Sequence, residues 1–160
     1  PNQIVTKGSG TIMGRVAMGG VARHDIGNCD GAMKVGSANA LSGWGPMLYD
    51  VAMEYATING GGLMADRGSV SSSARGVWQY YLANRGDTTG IQMDDLENTL
   101  TPEEEDNCDQ DVARYSSSAL QSQRGAEPDV EWTKSPLSKR WTKPPVMMNK
   151  LRSMGKLVEM

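Results

Sequence analysis

The hydrophobic pattern changes its period at Pro46, and this change most constrains the fold of the chain. Before Pro46, short β-compatible runs alternate with glycine from Thr11 onwards. After it, apolar residues recur at the spacing that lines one face of an α-helix, at Met47, Leu48, Val51, Ala52, Tyr55 and Ala56. Pro46 fits the first turn of such a helix. The sequence therefore predicts strands followed by a helix that begins near Pro46.

Strands are predicted before this helix at residues 11–18, 21–26 and 32–40. Gly19 and Gly20 separate the first two of them. Glycine supplies the positive φ angles of a tight hairpin turn. We therefore expect the first two strands to form a hairpin that turns at this pair of glycines.

The elements after the first helix give a β-α-β-α order. Residues 59–62 read Asn-Gly-Gly-Gly and predict the end of the helix, and the apolar run at 63–65 predicts a short buried strand. A second helix is predicted after Ser71, because hydroxyl side chains accept the free N–H groups at a helix start. We expect the two strands to pair in parallel. We also expect Trp78 to pack, mostly buried, against the first helix through residues such as Leu48 or Val51, rather than to face a cleft.

A glycine-rich loop joins the third strand to the first helix. In it, Gly43 and Gly45 flank Trp44. A loop of this kind presents backbone N–H groups and the positive end of the helix dipole to an anion, and glycine lets a phosphate come close. On its own, the pattern fits both a phosphate site and an ordinary structural loop.

The order strand, Gly-x-Gly loop, helix, strand and aromatic-bearing helix resembles the core of the GNAT superfamily of acyltransferases. The resemblance covers about residues 32–86 and extends to GNAT-like proteins of tailed bacteriophages. That family holds the pyrophosphate of acetyl-CoA on a loop of the form Gln/Arg-x-x-Gly-x-Gly/Ala, and its pantetheine arm runs between two strands that splay apart. Gly43 and Gly45 match the loop glycines. Ala74 and Val77 match the helix pattern Asn-x-x-Ala-x-x-Leu-Tyr.

The resemblance implies an α+β fold, with a GNAT-like mixed sheet and two main helices, reduced at the N-terminus and followed by an irregular C-terminal arm. It also implies that acetyl-CoA or a similar acyl-CoA is the cofactor. The residues expected to bind it are Gly43, Trp44, Gly45 and Ser71.

Three positions depart from the family pattern. Ala40 stands where the loop begins with Gln or Arg, and Ser71 stands where the helix has Asn. Trp78 stands where the family often has the tyrosine used as general acid, and an indole N–H cannot protonate a thiolate at neutral pH. The candidate catalytic residues are therefore Tyr80 as acid and Asp66 as base, although Asp66 also fits an ordinary polar turn.

Two functions follow from the resemblance. In the first, the chain binds acyl-CoA and transfers the acyl group to an amine, as an N-acyltransferase. In the second, the fold has lost its chemistry and serves as a structural or binding component of a bacteriophage particle or a phage–host complex. The sequence leaves the choice between them open.

The distribution of charge divides the chain into three parts. Residues 94–111 contain acidic residues and no basic one, whereas residues 134–156 contain basic residues and no acidic one. We accordingly predict a GNAT-like domain at 1–90, an acidic connector at 91–131 and a basic arm bearing Trp and Met at 132–160.

The arm carries more apolar residues than it can bury alone, because Pro136, Pro144 and Pro145 interrupt it. A closing helix is predicted at 146–154, ending at Gly155. We expect the arm to dock on its own domain or on another subunit, which makes a protein partner or a homo-oligomer the predicted assembly. Basic and aromatic residues together can also bind single-stranded nucleic acid, but the formal net charge of −3 disfavours this.

Other sequence features argue against several classes of site. Cys29 and Cys108 lack the spacing of a zinc site or a disulfide framework, and His24 is the one histidine, so no metal is predicted. No run approaches the roughly 18 apolar residues of a membrane span, and the chain does not start with a signal peptide. The predicted location is the cytoplasm, that of the host if the protein is phage-encoded, or the virion.

Overall fold

A computed structural model describes residues 2–8, 10–20, 31–66, 70–93 and 134–157. Within these ranges the chain is an α+β fold with a six-stranded mixed sheet and three α-helices. In chain order the elements are β1 (Asn2–Gly8), β2 (Thr11–Gly20), β3 (Met33–Ala40), α1 (Gly45–Asn59), β4 (Leu63–Met64), α2 (Ser72–Asn84), β5 (Thr89–Gln92), a 3-10 helix (Pro136–Ser138), β6 (Lys139–Thr142) and α3 (Val146–Ser153). In the part of the chain described, no helix has the length and apolar character needed to cross a membrane.

The strands lie side by side in the order β1-β2-β3-β4-β6-β5. The first three pair antiparallel, β3 and β4 pair in parallel, and β6 is antiparallel to both β4 and β5. The last strand in the sequence is therefore inserted between two earlier ones. The arm completes the sheet instead of lying outside it.

Helix α1 is buried on most of its surface. Its buried residues include apolar Leu48 and Met53 and also charged Asp50 and Glu54. The sheet, α2 and α3 all contact this helix. Trp78 of α2 packs edge-on against Tyr49 of α1, with ring centroids 5.4 Å apart. The main core therefore lies between α1, α2 and one face of the sheet.

A buried ion pair ties the arm to α1. The side chain of Glu54 is 0% exposed and pairs with the buried Lys143 ammonium. It also accepts hydrogen bonds from the backbone N–H groups of Met147 (2.8 Å) and Met148 (2.6 Å), in the first turn of α3. One carboxylate therefore neutralises the lysine before α3 and caps the start of that helix.

A second polar cluster joins α1 to α2. The Tyr81 hydroxyl donates a 2.7 Å hydrogen bond to Asp50, and Arg85 donates to both oxygens of the same carboxylate at 3.2 Å. Burial, followed by the bond to Asp50, raises the pKa of Tyr81. Arg85 also pairs with Asp87, and its hydrogen bonds lower the pKa of Asp87 to about 2. Asp50 thus holds the two helices together where they are covered from water.

Most predicted elements are confirmed. The strands at 11–18 and 32–40, the helix from near Pro46, the strand at 63–65, the helix after Ser71 and the closing helix correspond to β2, β3, α1, β4, α2 and α3. The parallel pairing of β3 and β4 is also confirmed.

Other predictions are wrong or lie outside the described residues. The hairpin turn at Gly19 and Gly20 is wrong, because both glycines belong to β2 and pair with β3. The irregular arm is wrong at 139–142, where β6 forms because Trp141 pairs with Leu63 and Gly90. The predicted strand at 21–26, the acidic connector, Trp132, His24 and both cysteines lie outside the described residues.

Candidate functional site

Strands β3 and β4 pair over two residues only and then separate. Met33 pairs with Leu63 and Lys34 with Met64, where β4 ends, whereas β3 continues to Ala40. A register shift between β2 and β3 lies at the same point, because Ala17 pairs with Ser37 and Met18 with Val35. Such a bulge bends a strand and increases its twist. The result is a cleft between the free part of β3 and the chain that follows β4.

The cleft has two adjoining chambers. The loop chamber, of about 300 Å³, lies between the end of β3, the loop at 41–45 and the first turns of α1 and α2. The strand chamber, of about 240 Å³, lies where β3 and β4 separate. Residues common to both linings form the neck between the chambers, and these are Ala38, Tyr49, Ser71 and Ala74.

The loop chamber presents backbone to its interior. Gly43 has a φ of +88°, which L side chains rarely adopt, so the loop requires glycine there. A Cβ at Gly43 or Gly45 would meet no atom within 4 Å. No side chain caps the start of α1, although the first N–H groups of a helix have no partner within it. Pro46 has no N–H and the Leu48 N–H donates to the Trp44 carbonyl, so the donors that remain in this turn are the N–H groups of Gly45 and Met47.

The start of α2 lines the opposite wall of the loop chamber with hydroxyl groups, from Ser71 and Ser73. The Ser71 Oγ accepts a 3.2 Å hydrogen bond from the backbone N–H of Ala74 and so caps α2. Because a serine hydroxyl both donates and accepts, the Ser71 proton is available to a ligand. Two helix N-termini thus face one chamber.

The strand chamber contains one ionisable carboxylate in its lining, that of Asp66, just after β4. Trp78 also lines this chamber while being 1% exposed. The predicted burial of Trp78 is confirmed, and its contact with α1 runs through Tyr49. The prediction that it would not face a cleft is wrong, because Trp78 belongs to the lining of this chamber.

Tyr49 is the residue of the site that the sequence pattern did not single out. It lies one turn into α1, is 5% exposed and lines both chambers. Burial raises the pKa of its hydroxyl, which therefore stays protonated at neutral pH. The spacing Gly45 to Tyr49, one helical turn after the loop glycine, was the signal that could have identified it.

The structure brings together four of the six predicted site residues. Gly43, Gly45 and Ser71 line the loop chamber, and Asp66 lines the strand chamber. Tyr80 is 46% exposed and belongs to neither lining, so the geometry gives no support to it as the general acid. Trp44 lines a different cavity.

That second cavity, of about 790 Å³, lies between β1, α1 and α3. Its lining is mainly aliphatic and methionine side chains, with Lys150 and Lys156 as its charged members. Trp44, which immediately precedes α1, forms part of this lining. Although it is the larger cavity, the cleft is the stronger candidate because backbone donors, hydroxyls and a carboxylate converge there.

Over the described ranges, no group of three or more His, Cys, Asp or Glu side chains is arranged to hold a metal ion. Comparison of the chain with known proteins gave no match to a family model, to a curated protein or to a solved structure, so its function is argued from the cleft itself.

Proposed function

We propose that the chain is a GNAT-like protein that binds acetyl-CoA or a similar acyl-CoA in the cleft between β3 and β4. The observation that carries the proposal is the early separation of the two parallel strands, which pair only through Met33 and Lys34 of β3. The cleft that results opens directly onto the Gly43 loop and the start of α1. This cleft resembles the one in which GNAT proteins hold a phosphate and a pantetheine arm, and that likeness supports the proposal.

The residues present fit such a ligand. Gly43, Gly45 and the uncapped first turn of α1 would hold the phosphates by backbone N–H groups, and Ser71 would add a hydroxyl. The free edge of β3 would pair with amide groups of the pantetheine arm, as a strand does at a sheet edge. When bound, the thioester supplies an activated acyl group.

For acyl transfer to an amine, Asp66 is the candidate base. It lines the strand chamber at the end of β4, where a carboxylate can accept a proton from an attacking amine. The buried walls of this chamber, including Trp78 and Val35, exclude water from the reacting end of the ligand.

The second candidate is the same fold acting as a binding or structural component without transfer, as in a phage particle or a phage–host complex. Trp78 favours it, because this indole occupies the position of the family's acid and is buried in the core. Tyr80, on the exposed side of α2, also favours it. An assay of acyl transfer distinguishes the enzyme from the binding or structural component, but only once binding of acetyl-CoA has been measured.

The test of the proposed function is calorimetric titration of the full chain with acetyl-CoA. We expect saturable binding by the wild-type protein and weaker binding by Gly45→Ala, whose added methyl group projects into open space at the edge of the loop chamber. Gly76→Ala is the matched control, since Gly76 lies in α2, has open space around it and lines neither chamber.

Both substitutions replace a helical glycine with the better helix former, so neither should lower the melting temperature. A wild-type protein that gives no heat of binding with acetyl-CoA at millimolar concentration contradicts the proposed function. Equal affinities of Gly45→Ala and Gly76→Ala would place the ligand elsewhere.

A further inference from the structure

Tyr49, one of the residues of the neck between the two chambers, has a ring whose position is fixed by packing. The Tyr49 ring is held edge-on against Trp78, with an interplanar angle of 83°. Trp78 is in turn packed against Tyr81, at 6.3 Å between ring centroids. Because these rings are buried, the Tyr49 ring and the hydroxyl that it carries have little freedom to move.

This hydroxyl makes no hydrogen bond in the part of the chain that the structure describes, and burial alone accounts for its raised pKa. It is also not among the fully enclosed polar atoms without a partner there, so it keeps some exposure, and Tyr49 is a lining residue of both chambers. The neighbouring Tyr81, in contrast, donates to Asp50. Tyr49 thus provides a protonated donor of restricted mobility among the residues shared by the two chambers.

We propose that the Tyr49 hydroxyl donates a hydrogen bond to a carbonyl oxygen of the ligand as it passes through the neck. This inference rests on the proposed function, in which the phosphates lie at the Gly43 loop and the acyl end lies in the strand chamber. Along such a ligand the acceptors are carbonyl oxygens, either of a pantetheine amide or of the thioester. Tyr49 is therefore a ligand-selecting residue, which recognises a carbonyl group at a set distance from the phosphate.

The experiment is calorimetric titration of wild-type, Tyr49→Phe and Tyr80→Phe proteins with acetyl-CoA and with CoA, together with their melting temperatures. Tyr49→Phe keeps the ring that packs on Trp78 and removes the donor. We expect it to weaken acetyl-CoA binding roughly 3- to 10-fold, the usual net effect of one neutral hydrogen bond, with an unchanged melting temperature. Tyr80→Phe, which removes a hydroxyl outside the cleft, should bind like the wild type.

The two ligands identify the carbonyl group. A loss confined to acetyl-CoA assigns the bond to the thioester carbonyl, and an equal loss with CoA assigns it to an amide carbonyl. If the wild-type protein binds acetyl-CoA and Tyr49→Phe binds it with the same affinity, the inference is overturned and the proposed function stands. A lowered melting temperature of Tyr49→Phe also overturns it, since the hydroxyl would then have a structural role. A wild-type protein that binds neither ligand overturns both proposals.

Discussion

At the scale of single residues, three tyrosines on two adjacent helices have different chemistry because of what surrounds each hydroxyl. Tyr81 donates to Asp50 inside the core, Tyr80 lies on the exposed face of α2, and Tyr49 borders the cleft. Sequence position alone selected Tyr80, which lies close to the motif position at Trp78. The helical rotation of about 100° per residue places Tyr80 on another face of α2 than Trp78, and Tyr80 belongs to neither chamber lining.

Glu54 is the residue on which the attachment of the arm depends most directly. We expect Glu54→Gln to destabilise the protein by about 3 kcal/mol, because the buried Lys143 ammonium would lose its closer counter-charge and keep only that of Asp87, 3.5 Å away. The amide oxygen of Gln could still accept from the N–H groups at the start of α3, so the change isolates the loss of charge. Urea unfolding of the two proteins measures the difference.

The control for this prediction is the double variant Glu54→Gln with Lys143→Met, which removes both charges. It should recover a large part of the lost stability, since neither charge is then left unpaired. A Glu54→Gln protein as stable as the wild type would show that Lys143 does not depend on this carboxylate.

At the scale of elements, periodicity predicted α1 but not the extent of its burial. The apolar face at Leu48, Val51 and Ala52 was visible in the sequence, and these residues are in the core. Asp50 and Glu54 occupy what would ordinarily be the exposed face, yet α2 and the arm cover them. Such burial depends on contacts between distant segments, which hydrophobic periodicity does not contain.

Pairing between strands is also beyond what the local sequence pattern can predict. Strand β6 pairs residues that are far apart in the sequence, such as Leu63 with Trp141, and its own residues Lys139 and Arg140 are charged. Local β-propensity therefore gave little sign of it. In the cleft, the Gly43 loop was recognisable because its chemistry is local. The neck at Tyr49 was not, because β3, α1 and α2 form it together.

The contact between α1 and α2 gives a prediction at this scale. Trp78→Ala should cost about 3 to 5 kcal/mol, because the ring is fully buried and joins Tyr49 to Tyr81. Tyr80→Ala, the truncation of a half-exposed aromatic residue that contacts Tyr81 and Arg85, should cost about 1 kcal/mol. Chemical denaturation compares the two. If Trp78→Ala were no more costly than Tyr80→Ala, the described packing of the two helices would be incorrect.

At the scale of the whole molecule, the sheet is closed by its last strand in sequence order. Trp141 of β6 is buried between β4 and β5, and its indole N–H donates a 3.1 Å hydrogen bond to the carbonyl of Pro136. A Cβ at Gly90 would lie 3.0 Å from the Trp141 ring, so β5 requires a small residue beside it. The chain thus depends on its C-terminal part to hold β5 next to the rest of the sheet.

The arm was predicted to dock either on its own domain or on another subunit. The structure shows contacts with its own domain, and docking on another subunit stays a prediction. Leu137, Trp141 and Met148 are buried within the chain, whereas Val146 and Met154 are exposed. An arm attached to another subunit could be removed without unfolding the domain. An arm that supplies an interior strand of the sheet could not be removed without unfolding it.

Removal of residues 134–160 should therefore abolish the cooperative thermal transition, because it separates β4 from β5 and exposes the core around Trp78. It also removes Lys143 and the helix start that pair with Glu54. The matched control is a chain that ends at Gly155, which retains β6, Lys143 and α3. Circular dichroism melts of the three proteins measure the effect, and light scattering reports whether assembly changes as well. The control should melt close to the full chain. A chain without residues 134–160 that keeps the wild-type transition would show that the domain folds without β6, and a change in assembly alone would assign the arm to a contact between subunits.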